Sequence, residues 1–217
     1  MGISVAAEFA RYGVATAYQA AGNRGLIDIP LIQIVPGSRV AGQARTVRCA
    51  QDDNLMVHAA MEQLQAGDVL VITMPEARPV ALVGELLATQ AHRQGAAAIL
   101  IDAALRDTGE LLELGLPIWT RWVRVAQAAK DQVGVIDVPV VIGGTTINPG
   151  DIMVLDSDGA VAVPASRQAA VLEAAMALTE RERERRAQYE TGALSLDLMG
   201  LRPKLKGPTG AAGTSEG

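Results

Sequence analysis

Two stretches of this chain carry residue types that can do chemistry together. Gly84-Glu85-Leu86-Leu87 opens a helical pattern, and Arg106-Asp107 follows an apolar run. The first offers free backbone N–H groups at the positive end of a helix, with a glycine that lets a ligand come close to the backbone. The second offers a planar guanidinium fork suited to a carboxylate, beside a hard oxygen ligand for a divalent cation. A 2-oxo acid uses all of these. The arginine grips its carboxylate, the amides hold the carboxylate or a developing enolate, and a metal on Asp107 withdraws electrons from the ketone oxygen. An Arg-Asp dipeptide alone is equally the pattern of a surface ion pair. Its position at a strand end, opposite a glycine-opened helix, is what favours the site.

Competing chemistries find fewer of their parts. One carboxylate without a histidine cluster points to a water-rich Mg2+ or Mn2+ site rather than zinc. His58 falls mid-helix and His92 near a helix C-terminus, where a cation is favoured, so both read as structural. Imine chemistry needs a partly buried lysine, and there are three lysines. Lys130 reads as part of a polar helical stretch, and Lys204 and Lys206 border the C-terminal tail. Metal chemistry is therefore preferred. No G-x-S-x-G elbow is present, and Cys49 lies in a strand without an evident histidine partner.

The elements that must position these residues are set by periodicity and turn signals. Residues 31–35 and 44–49 read as strands around the Pro36-Gly37-Ser38 turn. Asp52, Asp53 or Asn54 then caps a helix over 54–66, with Leu55, Ala59 and Leu64 on one face and Gly67 closing it. Residues 68–73 and 97–101 have the length and composition of buried strands, joined by a loop holding Pro75 and Pro79 and a helix from Gly84 to about Gln94. That β-α-β unit implies a right-handed crossover and parallel strands, so residues 84–87 should face the loop 102–107. Further strands begin at Ile118, cover 139–142, and form a hairpin from 152–155 to 160–163. A last helix runs from about Arg167 to Gln188. Within it, residues 180–186 alternate in sign, with opposite charges at i,i+3, as in a solvated face or a subunit contact. The fold class is α/β. One domain over residues 1–206 is expected, with a C-terminal helical extension from about 167 to 206 and a disordered tail at 207–217.

Composition narrows the function. With 217 residues, 49% hydrophobic and 20% charged, the chain can bury one sizeable core. A net charge of −5 leaves no excess of cations for a phosphate backbone, and 3% aromatics leave no stacking platform, so nucleic acid is not the expected partner. No stretch is apolar enough to span a membrane, the N-terminus has no signal-peptide pattern, and one cysteine cannot form an internal disulfide; a cytoplasmic protein is expected.

The chain resembles the RraA-like family, and more closely its 4-hydroxy-4-methyl-2-oxoglutarate / 4-carboxy-4-hydroxy-2-oxoadipate aldolase branch. The likeness runs from about Gly13 to Leu205. It is carried by Gly13-Val14-Ala15-Thr16, 41–47, Asp53-Asn54-Leu55-Met56-Val57-His58, Gly67-Asp68-Val69-Leu70-Val71, Gly84-Glu85-Leu86-Leu87, Asp102 with Arg106-Asp107, and Asn148-Pro149-Gly150-Asp151. The resemblance implies a β/β/α sandwich of mixed sheets flanked by helices, assembled as a homotrimer or homohexamer with sites between subunits. It implies pyruvate binding by Gly84, Glu85, Leu86, Leu87 and Arg106, a Mg2+ or Mn2+ on Asp107, and Glu85 as acid/base carboxylate acting through water. It also implies a glutamate from a neighbour's C-terminal helix; Glu182 matches best by spacing, with Glu180 and Glu184 as alternatives. Gln19 and Ala103 depart from the family pattern and bear on substrate preference. The expected activity is a metal-dependent pyruvate aldolase, a carbon-carbon lyase of aromatic catabolism, with oxaloacetate decarboxylation as a side activity. The alternative is a regulator that binds and inhibits a ribonuclease. The segment 180–205 resembles the aldolases and is missing from that regulator.

Overall fold

Every residue of 68–73 is buried, and so is every residue of 98–105, as strands covered on both faces must be. In the computed structural model, which describes residues 5–206, they are the third and fifth strands of the chain. The strands are β1 (Ile32–Gln33), β2 (Val40–Arg48), β3 (Asp68–Thr73), β4 (Ala81–Val83), β5 (Ala98–Leu105), β6 (Ile118–Val123), β7 (Val135–Ile136), β8 (Val140–Ile142), β9 (Thr145–Ile147), β10 (Ile152–Asp156) and β11 (Gly159–Val163). The helices are α1 (Val5–Ala20), α2 (Leu55–Ala60), α3 (Glu85–Arg93), α4 (Thr108–Leu114), α5 (Gln168–Glu190) and α6 (Ser195–Leu198). Residues 207–217, expected to be disordered, lie outside the described residues.

Nine strands form one mixed sheet in the order β1-β6-β5-β3-β2-β10-β11, with β4 beside β5 and β7 beside β2. The centre is parallel: β2 with β3, β3 with β5, and β5 with β6. The β10–β11 hairpin adds to it antiparallel. Alternation splits the central strands between two cores. Leu70, Ile72, Ile99 and Ile101 pack with Val57, Leu87, Ala88 and Leu111 from α2, α3 and α4. Val69, Val71, Ala98 and Leu100 point the other way, onto Val140, Ile142 and Ile147 of the separate β8–β9 pair and onto Trp119. Helices on one face and strands on the other give the expected layered α/β architecture. A third cluster joins Phe9, Val14 and Ala17 of α1 to Ile152, Val154, Val161 and Val163.

Several elements differ from expectation, each for a local reason. The helix expected over 54–66 ends at Ala60, and i→i+3 bonds tighten its continuation. Its buried side is Val57, Ala60, Met61 and Leu64; of the expected Leu55, Ala59 and Leu64, only Leu64 is buried. The strand expected to stop at 101 continues to Leu105, leaving only Arg106 and Asp107 before α4, a short helix not expected from the sequence. The loop holding Pro75 and Pro79 ends in β4. Residues 126–132, read as helical around Lys130, are an irregular segment carrying isolated bridges. Helix α1 is likewise additional to the expected elements. It kinks at Gly13 (φ 78°, ψ 178°), where the freed N–H of Val14 donates to Asp156 at 2.9 Å and a Cβ would sit 2.6 Å from the same carboxylate.

The chain divides into two compact units, Met1–Met176 and Ala177–Gly217. The first holds all eleven strands. The second, over its described residues, holds the end of α5, α6 and a 3-10 turn at Arg202–Lys206; Arg183 pairs with Glu180 at 2.5 Å, and Arg202 pairs with Asp197.

Asp53, 1% exposed, ties α2 to the irregular segment. It accepts N–H bonds from Leu55 (2.8 Å), Asp131 (2.7 Å) and Gln132 (3.0 Å). Burial pushes its pKa up, but these three donors and the charge of Lys130 outweigh it and hold the carboxyl below its ordinary value. A depressed folded-state pKa stabilises above the unfolded pKa and loses that stabilisation as pH falls through the folded one. Asp53→Ala should cost about 2–4 kcal/mol by leaving buried donors unpaired. Asp53→Asn should flatten the acid limb of melting temperature against pH below about pH 5; an acid limb identical to wild type would refute this assignment.

Candidate active site

The short strand β4 sets the site. It pairs parallel with β5 so that Val83 lies beside Leu105, and the N–H of Arg106 donates to Val83 at 3.2 Å. The next residue on each strand is therefore brought alongside: Gly84 begins α3 next to Arg106 and Asp107. The N–H of Glu85 donates to Asp107 Oδ2 at 3.1 Å. That consumes one of the helix's first free donors. The N–H groups of Leu86 and Leu87 make no hydrogen bond among the described residues and remain for a ligand.

Gly84, Leu86, Leu87, Arg106 and Asp107 line one cavity of ≈ 250 Å3 together with Asn54, His58, Ala81, Val83, Gln127 and Lys130. Arg106 and Asp107 touch each other only through Nε at 3.5 Å, and both side chains are 38% exposed. Such a contact is weak and leaves the terminal amino groups of the guanidinium for a ligand. Asp107 adopts a left-handed backbone (φ 63°, ψ 43°), sparsely populated outside glycine. Its Oδ1 makes no hydrogen bond among the described residues and the side chain is part-exposed, a fit for a hard cation that keeps most of its waters. No group of three His, Cys, Asp or Glu side chains is positioned for a metal among the described residues, so any metal here rests on this one carboxylate.

The other expected site residues fall elsewhere. The Glu85 carboxylate accepts a 2.9 Å bond from Thr89 Oγ1 along its own helix and does not line the cavity. Glu182 is exposed in the second unit, beside Arg185, Arg186 and Tyr189. Asp102 lies within β5 and pairs with Arg121 at 3.0 Å. Beside it, buried Ala103 sits where the β5–β6 register shifts, and Gln19 is on an exposed face of α1. His92 is exposed in the last turn of α3, as expected. The Cys49 thiol is pushed up to about 12 by burial and by the charge of Asp53, against a bond from Val57, and stays protonated at neutral pH.

Two residues that read as structural in the sequence do reach the cavity. His58 is exposed toward it, not set in a core, and Lys130 lies on its rim instead of on a helix. Burial, and secondarily Lys130, lowers the His58 pKa and favours its neutral form. The signal in the sequence is the i,i+4 spacing of Asn54 and His58, which puts both on one side of a helix start.

A Cβ on Gly84 would sit 2.5 Å from Asp107 Oδ2 and 3.2 Å from Arg106 Nε. The obstruction is side chain, not backbone, so Gly84→Ala should fold with a melting temperature within about 5 °C of wild type. It should displace the carboxylate and, where Asp107 holds a divalent cation, weaken Mn2+ binding roughly tenfold, about 1.4 kcal/mol, in calorimetry. Unchanged Mn2+ affinity would contradict the close approach.

Comparison with known proteins identifies the family of the chain. The RraA-like model, described as Aldolase/RraA, matches residues 13–162. A protein of Halalkalibacterium halodurans, provisionally named 4-hydroxy-4-methyl-2-oxoglutarate aldolase, is 33% identical over 168 residues, 77% of this chain and 78% of that one. Among solved structures, Streptomyces coelicolor RraAS2, described as an unusual member of the RNase ES inhibitor RraA family, superposes with a TM-score of 0.73 at 31% identity, covering 82% of this chain and 93% of its own. An uncharacterized protein from Pseudomonas syringae pv. tomato gives 0.79 at 28% identity, covering 89% and 92%. The chain belongs to the RraA-like family.

Proposed function

We propose that this protein is a divalent-metal-dependent pyruvate aldolase, a class II carbon-carbon lyase. It cleaves 4-hydroxy-4-methyl-2-oxoglutarate or 4-carboxy-4-hydroxy-2-oxoadipate and decarboxylates oxaloacetate as a side reaction. The observation that supports this reading is the pairing in one cavity of the α3 N-terminus with Arg106 and a strained, outward-facing Asp107. Arg106 binds the 2-oxo carboxylate through its two terminal amino groups. The Leu86 and Leu87 N–H groups stabilise negative charge as it develops on the enolate. Asp107 would hold Mg2+ or Mn2+, which would supply Lewis-acid polarisation of the ketone when bound. A base removes the 4-hydroxyl proton, the C3–C4 bond breaks as a carbonyl forms at C4, and the bonding pair becomes the pyruvate enolate, which is then protonated at C3. Glu85, whose carboxylate accepts from Thr89 outside the cavity lining, would serve as the acid/base only through an intervening water. Glu182, or Glu180 or Glu184, reaches the site from a neighbouring subunit of a trimer or hexamer.

The second reading, a protein that inhibits a ribonuclease, is favoured by the likeness to RraAS2. Pyruvate release from a panel of 2-oxo acids separates the two. Release is expected with Mg2+ or Mn2+ and not with chelator, and Asp107→Ala should abolish it while leaving the melting temperature near wild type. Borohydride with pyruvate should trap no adduct, and a covalent adduct on Lys130 would return imine chemistry. Ribonuclease inhibition without pyruvate release would reverse the assignment.

If Glu182 serves only the retro-aldol step, Glu182→Gln should depress aldol cleavage at least about tenfold more than oxaloacetate decarboxylation. Equal losses in the two rates would remove Glu182 from that step.

A further inference from the structure

Glu85 is the first residue of α3, and side chains on a helix lean toward its N-terminus. That lean would carry the carboxylate over the helix start, where Arg106 stands. The approach is short, since a Cβ at the neighbouring Gly84 would lie 3.2 Å from Arg106 Nε. A carboxylate placed there would pair with the guanidinium fork and compete with a substrate carboxylate for it. Glu85 instead forms no ion pair within 4 Å among the described residues and turns back along its own helix. Its Oε1 accepts the Thr89 hydroxyl at 2.9 Å, and its Oε2 makes no hydrogen bond among the described residues.

Thr89 costs this helix stability. A half-buried β-branched residue in the middle of nine helical residues loses rotamer freedom, and its hydroxyl ordinarily bonds the carbonyl one turn earlier. Here the hydroxyl goes to the carboxylate of the residue one turn earlier instead. Leu87, Ala88 and Ala91 pack into the core beside α2 and α4, so the helix cannot rotate to carry either partner away.

We infer that Thr89 is a positioning residue, whose hydroxyl holds the Glu85 carboxylate off Arg106 and in the place from which it acts on the substrate through water. The inference rests on the aldolase reading, in which Arg106 takes the 2-oxo carboxylate and Glu85 is the acid/base. Anchoring one oxygen does two things at once. The guanidinium fork stays open for substrate, and Oε2 stays available to a bridging water at a fixed remove from the reacting atoms.

Wild type, Thr89→Val and Thr89→Ser, as full chains with Mn2+, should be compared in pyruvate affinity by calorimetry and in kcat for 2-oxo acid cleavage. Thr89→Val removes the donor while keeping the shape, and its melting temperature should stay within about 3 °C of wild type. Freed from its anchor, Glu85 should compete for Arg106 and weaken pyruvate binding about 5- to 10-fold, and kcat should fall roughly tenfold. Thr89→Ser keeps the donor and should stay within about twofold of wild type in both. In a Glu85→Ala background no carboxylate remains to be held, so adding Thr89→Val should change pyruvate affinity by less than about twofold. The same loss in that background, no loss from Thr89→Val, or a Thr89→Ser as impaired as Thr89→Val would overturn the inference and leave the aldolase reading intact. A wild type that neither binds pyruvate nor releases it would overturn both.

Discussion

The register between two strand ends is the constraint on which the rest of this site depends. β4 is three residues long, yet pairing Val83 with Leu105 fixes the position of the residues just beyond each strand. Gly84 must emerge beside Arg106, and the first N–H of α3 finds the Asp107 carboxylate. A slip of one residue would turn every side chain of so short a strand to its other face and separate the helix start from the Arg-Asp pair. Gly84 is part of the same constraint, since its backbone is extended and the glycine is needed for space, not for an unusual φ.

Around this register, buried carboxylates act as clamps. Asp53 gathers the irregular segment behind Lys130, Asp156 holds the kink of α1 through Val14, and Asp151 accepts from the N–H groups of Asn148 (2.8 Å) and Ala165 (2.9 Å) at the turn before β10. Each carboxylate offers several lone pairs to backbone donors that would otherwise be buried and unsatisfied. This division of labour separates the acids. Those that hold turns are nearly fully buried, whereas Asp107 is 38% exposed.

Much of the fold is legible in the sequence because periodicity reports strongly buried elements. Residues 68–73, the 84–94 helix and the β10–β11 hairpin lie where alternation and turn residues put them. β4 leaves no signal, since three apolar residues after two prolines and an arginine read as loop until β5 pairs with them. β5 reads short because Asp102 looks like the end of an apolar run; its charge is instead met across the sheet by Arg121. Lys130 reads as helical because the segment around it is held by hydrogen bonds to residues about 80 positions away, a relation no local window contains.

Asp107 unites these points, because it serves two helices at once. Its carbonyl accepts the Leu111 N–H at the start of α4, while its carboxylate accepts the Glu85 N–H at the start of α3. A left-handed aspartate costs on the order of 1 kcal/mol or more and persists only where its surroundings over-determine it. Here the two helix starts do so. The strand ends bring both helices to one edge, and the strained turn aims the carboxylate across the gap. Because one oxygen is committed to α3, the other is oriented without help from a ligand. The two helix contacts, against the strain, keep the carboxylate in one orientation, which is what a hard cation resting on a single protein carboxylate would need under the proposed function.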